Sequence, residues 1–295
     1  MHVPVLLKEV LSGLSPQKGE IVIDATLGLG GHAHAFAQAI GKEGMLIAFD
    51  EDAKTIAHAQ ETLKGVECRT CFQNTNFRHM SEGVKKCGVS QVDVILFDLG
   101  WSSFQLEESG RGFSFQKKEP LLMTLKSNLD DDTLTAYEIA NSWNEADIAQ
   151  ILQDYGEERF AHRIARAIFL HRKIKPIGYT DELAQIVEEA IPHRSQIHPA
   201  TRTFQAFRIA VNDELHALQD GLKSGFELLK ENGRMGVISF HSLEDRIVKN
   251  FFKSQKERGA LSILTKKPIT PSVEEIKENS RSRSAKLRIA QKIKI

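Results

Sequence analysis

Three aspartates occupy equivalent places in the sequence. Asp24, Asp50 and Asp98 each close an apolar run, in "EIVID", "MLIAFD" and "DVILFD". After Asp24 comes a turn with Gly28, Gly30 and Gly31, then His32 and an alanine-rich stretch. A strand that ends in a glycine turn before a helix is where open α/β sheets bind ligands, because the helix start presents unpaired N–H groups. Gly28, Gly30 and Ala33 satisfy a loose dinucleotide fingerprint, which would lay a nicotinamide pyrophosphate on that helix. Asp24 argues for a different ligand: a carboxylate at the strand end repels phosphate and attracts a cationic or amino-bearing group. Asp50, about twenty residues beyond the glycines, is placed to accept from both ribose hydroxyls of an adenosine cofactor. A ribose, a sulfonium charge, an amino-acid moiety and no phosphate together describe S-adenosylmethionine. Taken alone, each aspartate also reads as a cap on the following helix.

The stretch "FDLGWSS" puts Asp98 at a strand end, followed by a glycine turn, Trp101 and two hydroxyls. In a transferase acting on an exocyclic amine, Asp98 or a nearby carbonyl can accept from the N–H groups and hold the nitrogen in line with a methyl carbon. Trp101 can then stack on a flipped base. The plainer alternative is a turn with a buried tryptophan.

These residues need a frame. Strand patterns at "GEIVIDATLG", "GMLIAFDED", "VECRTCFQ" and "VDVILFDLG" alternate with helical ones, which predicts a mostly parallel, doubly wound α/β sheet. From about Glu107 the pattern turns helical, with "SWNEADIAQILQDYG" opened by a Ser142/Glu145 capping pair. "FQAFRIAVNDELHALQDGLKSGFELLKENG" reads as one or two helices, "RMGVISF" as a strand and "EDRIVKNFF" as a helix start. The expected division is 1–106, a helical insertion over 107–204, and 205–295 with a basic terminal segment.

Composition fits a soluble globular chain: 295 residues, 41% hydrophobic, 26% charged, formal net charge zero. No apolar run reaches membrane-spanning length and no secretory pattern opens the chain, so a cytoplasmic, non-membrane protein is expected. Two stretches are locally basic. Residues 279–295 carry six cations and no acid, and Arg159, Arg163 and Arg166 recur at helical spacing with Arg172, Lys173 and Lys175 behind them. Either can meet phosphates or be a solvated face. Three cysteines suit free thiols in a reducing compartment, and Cys68 and Cys71, three apart on a strand, face opposite sides and make no zinc site. The eleven histidines show no metal-ligand spacing, so no metal is expected.

The stretches "HVPVLLKEVL", "DATLGLGGHA", "DLGWSSFQL", "RGFSF", "YGEERFAHRIARAI", "HPATRTFQAFRIAVNDEL", "ISFHSLEDRIVKNFF" and "NSRSRSAKLR" follow in order from His2 to Arg288. In these motifs the chain resembles the RsmH (MraW) family of S-adenosylmethionine-dependent methyltransferases. The resemblance implies a Rossmann-like class I methyltransferase domain with an inserted all-helical domain. It implies methylation of a cytidine exocyclic amine near the decoding site of 16S rRNA, with that RNA or the small ribosomal subunit as partner. Carried over by position, it places the cofactor on Gly30, Gly31, His32, Asp50, Phe77, Asp98 and Gln105, with Gly31 leaving room for a close cofactor. Asp98 and His241 are the implied catalytic pair. Arg111, Phe113, Arg208, Asn212 and Arg246 are the implied substrate contacts, Arg208 and Asn212 on one helical face. Glu244 and Asp245 suit a first helical turn without any catalytic task.

The chain departs from the family's "LDMRMD"-like run, reading "LLMTLK" at Leu121–Lys126. That departure keeps open a catalytically impaired assembly factor of the same fold, and the glycine spacing keeps open a nicotinamide-dependent dehydrogenase.

Overall fold

The computed structural model describes residues 4–100, 109–126, 129, 133–191 and 198–294. Trp101 and Gln105 therefore lie outside the described residues. The chain divides into two compact units, one of residues 1–100 and 215–295, the other of residues 101–214.

The first unit is built on seven strands: β1 (Ile21–Asp24), β2 (Met45–Asp50), β3 (Arg69–Asn74), β4 (Val92–Asp98), β5 (Leu229–Ser239), β6 (Leu261–Ile263) and β7 (Lys286–Lys292). They form one sheet in the order β3-β2-β1-β4-β5-β7-β6. The first five run parallel, with Asp24 opposite Ala48 and Leu96, and Asp98 opposite Ile238. β7 is antiparallel to both β5 and β6. Because the strands alternate faces and both are covered, they read as near-continuous apolar runs. Leu46 and Leu96 join the core under α1 (Leu7–Leu14), α2 (Gly31–Ile40) and α3 (Ala53–Thr62). Ile47, Phe49 and Phe97 join the opposite core with Val84 of α4 (Met80–Lys86). Leu222 of α10 (Glu214–Leu228) and Phe252 of α11 (Ser242–Glu257) complete that layer.

Two stretches differ from the sequence expectation. "KENG", read as the end of a helix, belongs to β5, which starts at Leu229 and is held by Lys230 donating to both oxygens of Asp93 (2.9 and 2.8 Å). The terminal basic run is not an open tail. Residues 286–292 of it form β7, whose Arg288 grips Asp245 with Nε and Nη2 (2.7 and 3.2 Å), while Lys292 donates to the carbonyls of Phe226 and Leu229 (2.9 and 2.7 Å).

The second unit contains α5 (Ala136–Ser142), α6 (Glu145–Asp154), α7 (Ala161–His171), α8 (Thr180–Ala190) and α9 (Ala200–Asn212). They share a core that includes Ile139, Ile148, Leu152, Ile164, Ile168, Leu183, Val187, Phe204 and Phe207. Phe207 and Ala206 of α9 are fully buried there, which carries this unit past the expected end at 204. α6 is capped by Asn144, whose Oδ1 accepts from Asp147 N–H (2.8 Å), in place of the expected Ser142/Glu145 pair. Among the described residues no helix is long and apolar enough to cross a membrane.

The cysteine expectation is corrected in part. Cys71 and Cys87 form a disulfide with their Cα atoms 6.1 Å apart, while Cys68 is buried and free. Cys68 packs in the α1–α3 core, and Cys71 against the opposite one with Cys87. The C-x-x-C is therefore split across the sheet, and the pairing partner is sixteen residues away on the same face.

Candidate active site

The carboxyl ends of β1, β2 and β4 meet at one edge of the sheet. The turn between β1 and α2 is fixed by main-chain bonds: Leu27 N–H donates to Phe49 O, and Gly30 N–H to Leu27 O, both at 2.9 Å. Gly30 takes φ 82°, a left-handed conformation that glycine adopts without strain. Gly31 has another reason to lack a side chain: a Cβ there would come 2.4 Å from Pro4 Cγ. Packing against the N-terminal segment is thus enough by itself to exclude a side chain at Gly31. With Gly30 N–H engaged, the N–H groups of Gly31 and His32 open the first turn of α2, where helical N–H groups have no intrahelical partner.

Asp24 and His32 are buried at that turn, beside the partly exposed Asp98. Asp24 is 1% exposed; its Oδ1 accepts from Thr26 N–H (3.2 Å) and its Oδ2 has no hydrogen-bond partner. Both ring nitrogens of His32 likewise lack a hydrogen bond, and Nε2 lies 3.5 Å from Asp98 Oδ2. Burial pushes the Asp24 carboxyl up to about 6; the His32 charge and the Thr26 amide oppose the rise and Asp98 adds to it. Asp98 is set by Thr26, whose Oγ1 accepts from Asp98 N–H (2.7 Å), tying the end of β4 to the end of β1.

Asp50 braces the same edge. Its carboxylate accepts from Gly28 N–H (3.1 Å) and Asp52 N–H (2.9 Å). Burial nevertheless raises its pKa to about 7, with the charges of Asp52 and Glu51 adding to the rise against those two amides. Asn74 Nδ2 donates to the carbonyls of Asp50 and Glu51 (both 3.0 Å), and Asn76 Nδ2 to Glu51 Oε1 (2.6 Å). Asn76 also accepts Arg78 N–H and so caps the short turn that carries Phe77. The Phe77 ring packs edge-on to Phe97 (centroids 5.5 Å, 88°) and lies where a Cβ on Gly221 would sit. Thr26, Asn74 and Asn76 were not singled out in the sequence, where each looks like an ordinary turn former.

The edge therefore offers acidic and unpartnered buried polar groups, unpaired helix N–H groups and a partly buried phenylalanine. Orphaned buried polar atoms are costly unless a ligand completes them. The donor set fits S-adenosylmethionine and disfavours a pyrophosphate, which three carboxylates would repel.

His241 is the N-cap of α11: its Nδ1 accepts from Glu244 N–H (3.4 Å), and Glu244 Oε2 accepts from Phe240 N–H (2.8 Å). Glu244 and Asp245 are structural as expected, one in this capping box and the other bound to Arg288. Arg246 is exposed on the same helix.

In the second unit the residues expected to contact substrate make structural contacts. Phe113 is 7% exposed and belongs to the helical core. Arg208 forks onto Glu214, both bonds 2.9 Å. Arg208 and Asn212 do share a face, but Asn212 donates to Met123 O and Arg208 O (2.8 and 2.9 Å) and accepts from Leu125 N–H (2.8 Å). Arg111 Nη1 donates to Leu125 O, and Arg111 O accepts from Met123 N–H (both 2.7 Å). The departing "LLMTLK" segment is thus anchored through its main chain, without the charges it lacks.

A seven-stranded, mostly parallel sheet closed by an antiparallel β7, with acids at the ends of β1, β2 and β4, defines a Rossmann-like methyltransferase. The model of the MraW methylase family matches residues 1–293. The chain is 46% identical over 295 residues to the "Ribosomal RNA small subunit methyltransferase H" of Persephonella marina, covering 99% of each. It is 44% identical to the protein of that name from Dictyoglomus thermophilum (99% of this chain, 97% of the relative). The one from Brevibacillus brevis is 43% identical (99% and 98%). The chain belongs to the MraW methylase family, and its methyl donor is S-adenosylmethionine.

Proposed function

We propose that this enzyme methylates the exocyclic amino nitrogen of a cytidine in small-subunit rRNA, near the decoding site. The observation that carries the reading is the pair Asp24 and His32, buried and incompletely hydrogen-bonded beside the partly exposed Asp98 at the end of the sheet. The names of the relatives support RNA of the small subunit as the substrate class.

S-adenosylmethionine supplies a methyl group on a positively charged sulfur. The Gly31 and His32 amides suit its carboxylate, Asp50 its ribose hydroxyls and Phe77 its adenine; Gln105 joins this set by the family pattern. Asp98 accepts a hydrogen bond from the amine and aims the nitrogen lone pair along the C–S axis. The bound cofactor would supply the methyl group, its sulfur leaving with the C–S electron pair, and the proton lost by the amine would pass to solvent water. His241, the N-cap of α11, and Arg246 on that helix are assigned to the acceptor.

Incubation with methyl-labelled S-adenosylmethionine and small ribosomal subunits, followed by nucleoside analysis, tests this. Label in N4-methylated cytidine is expected. Wild-type label in another nucleoside overturns the position, and no label in RNA favours an assembly factor. Tight binding of NAD by calorimetry would overturn the cofactor assignment.

A further inference from the structure

Residues 159–175 carry Arg159, Arg163, Arg166, Arg172, Lys173 and Lys175 with no acidic residue among them. The structure separates these cations into two kinds. Arg166 pairs with Glu145 (2.9 Å), Lys175 with Glu182 (2.5 Å), and Arg172 donates to Ala140 O (3.0 Å). Arg159, Arg163 and Lys173 are exposed and have no carboxylate partner among the described residues. Arg159 lies over the Phe160 ring (4.6 Å).

Fold stability does not explain this arrangement. Arg159 and Arg163 flank the N-terminus of α7, whose first turn holds no acid. A helix start is already positive, so cations there are unfavourable for the helix and anions are favourable. At the other end, Arg166, Arg172 and Lys173 crowd one ring, that of Phe169, at 5.9, 4.9 and 4.4 Å. Beside it two aliphatic side chains face solvent, Leu170 at 46% and Ile174 at 88% exposure. Unpaired like charges set along one helix repel one another until a polyanion meets them. A row of cations interleaved with an aromatic and aliphatic surface matches a nucleic-acid strand, with phosphates on the charges and sugar or base faces on the apolar groups.

We infer that α7 and its flanks, through Arg159 before the helix, Arg163 on it and Lys173 after it, form a phosphate-contacting surface for the RNA substrate. The inference rests on the reading that the substrate is small-subunit rRNA. It assigns affinity to α7 and leaves the chemistry to the sheet edge.

The test compares wild type with a triple variant, Arg159→Glu, Arg163→Glu and Lys173→Glu, and with a charge-keeping one, Arg159→Lys, Arg163→Lys and Lys173→Arg. Binding to a small-subunit rRNA fragment is measured across salt concentrations, with thermal melting and S-adenosylhomocysteine affinity as controls on folding. The reversed variant is expected to bind about tenfold or more weaker at low salt, with a log–log salt slope shallower by about two. Its KM for RNA rises while kcat at saturating RNA holds, and the charge-keeping variant stays near wild type. Should the reversed variant misfold, three alanines at the same positions are expected to shift the slope in the same sense. Unchanged slope and KM in a folded variant, with wild type methylating the RNA, overturn this inference alone. A wild type that methylates no small-subunit RNA overturns the functional reading with it.

Discussion

The acids at the sheet edge were singled out by their strand-end positions and the polar residues of the helical unit by family motifs, and the two sets sit in opposite electrostatic situations. In the helical unit, Asn212 makes three side-chain hydrogen bonds and Arg208 a two-pronged ion pair. At the sheet edge, Asp24 Oδ2 and both His32 nitrogens are buried without hydrogen bonds, and Asp24 and Asp50 hold protons well above the ordinary carboxylate range. A completed polar group stabilises the fold that completes it, whereas an incomplete one costs stability until a ligand arrives. The difference separates braces, whose hydrogen bonds the fold completes, from groups of the same types that it leaves incomplete.

Each prediction tests that sorting. The largest effect belongs to Asp98→Ala, expected to lower methyl transfer about a hundredfold or more, the scale of removing one preorganised polar group. Its melting temperature should stay near wild type; a large loss of stability with activity retained would place Asp98 among the braces. Asn212→Ala should do the reverse, costing about 2–3 kcal/mol by leaving Leu125 N–H and Met123 O unpaired. Thermal melting checks the loss, and S-adenosylhomocysteine affinity should not move. Asp50→Asn is expected to weaken that affinity about tenfold, worth about 1.4 kcal/mol. In wild type the affinity should rise as pH climbs through about 7, where Asp50 ionises and becomes the better acceptor for ribose hydroxyls; calorimetry across pH should show the step vanish in Asp50→Asn.

The smallest effect is on the stability of the ligand-free protein. Asp24 and Asp50 are raised from 3.8 to about 6 and about 7, so between these values the folded state binds protons that the unfolded chain has released. Their contribution is therefore most favourable below 3.8 and is lost as pH rises through 6 and 7. Relative to Asp24→Asn and Asp50→Asn, the wild-type melting temperature should fall from pH 4 to pH 8. Parallel curves would remove the electrostatic half of the comparison.

The sheet edge was legible because apolar runs ending in aspartate carry both the strand and its exit in one pattern. The family motifs located His32 and Phe77. The partners of these residues were not legible: Thr26, Asn74 and Asn76 act through carbonyls and amides that only strand register brings near. For the same reason Asn212 and Arg208 looked free. Four-residue spacing puts them on one face but says nothing of the 121–126 loop that Asn212 clasps. β7 did leave a signal, since Leu287 and Ile289 alternate with Lys286 and Arg288, but the density of cations masked a two-residue period. The Cys71–Cys87 link depended on which face of β3 each thiol met, which residue spacing alone does not specify.

β7 carries one more consequence. Among the described residues it is the strand latest in sequence and yet an interior one, lying between β5 and β6. The sheet must wait with β5 unpaired on one side and β6 without a paired strand until residues 286–292 are in place. Fraying of β7 alone would therefore open two strand edges at once, each a template for aggregation.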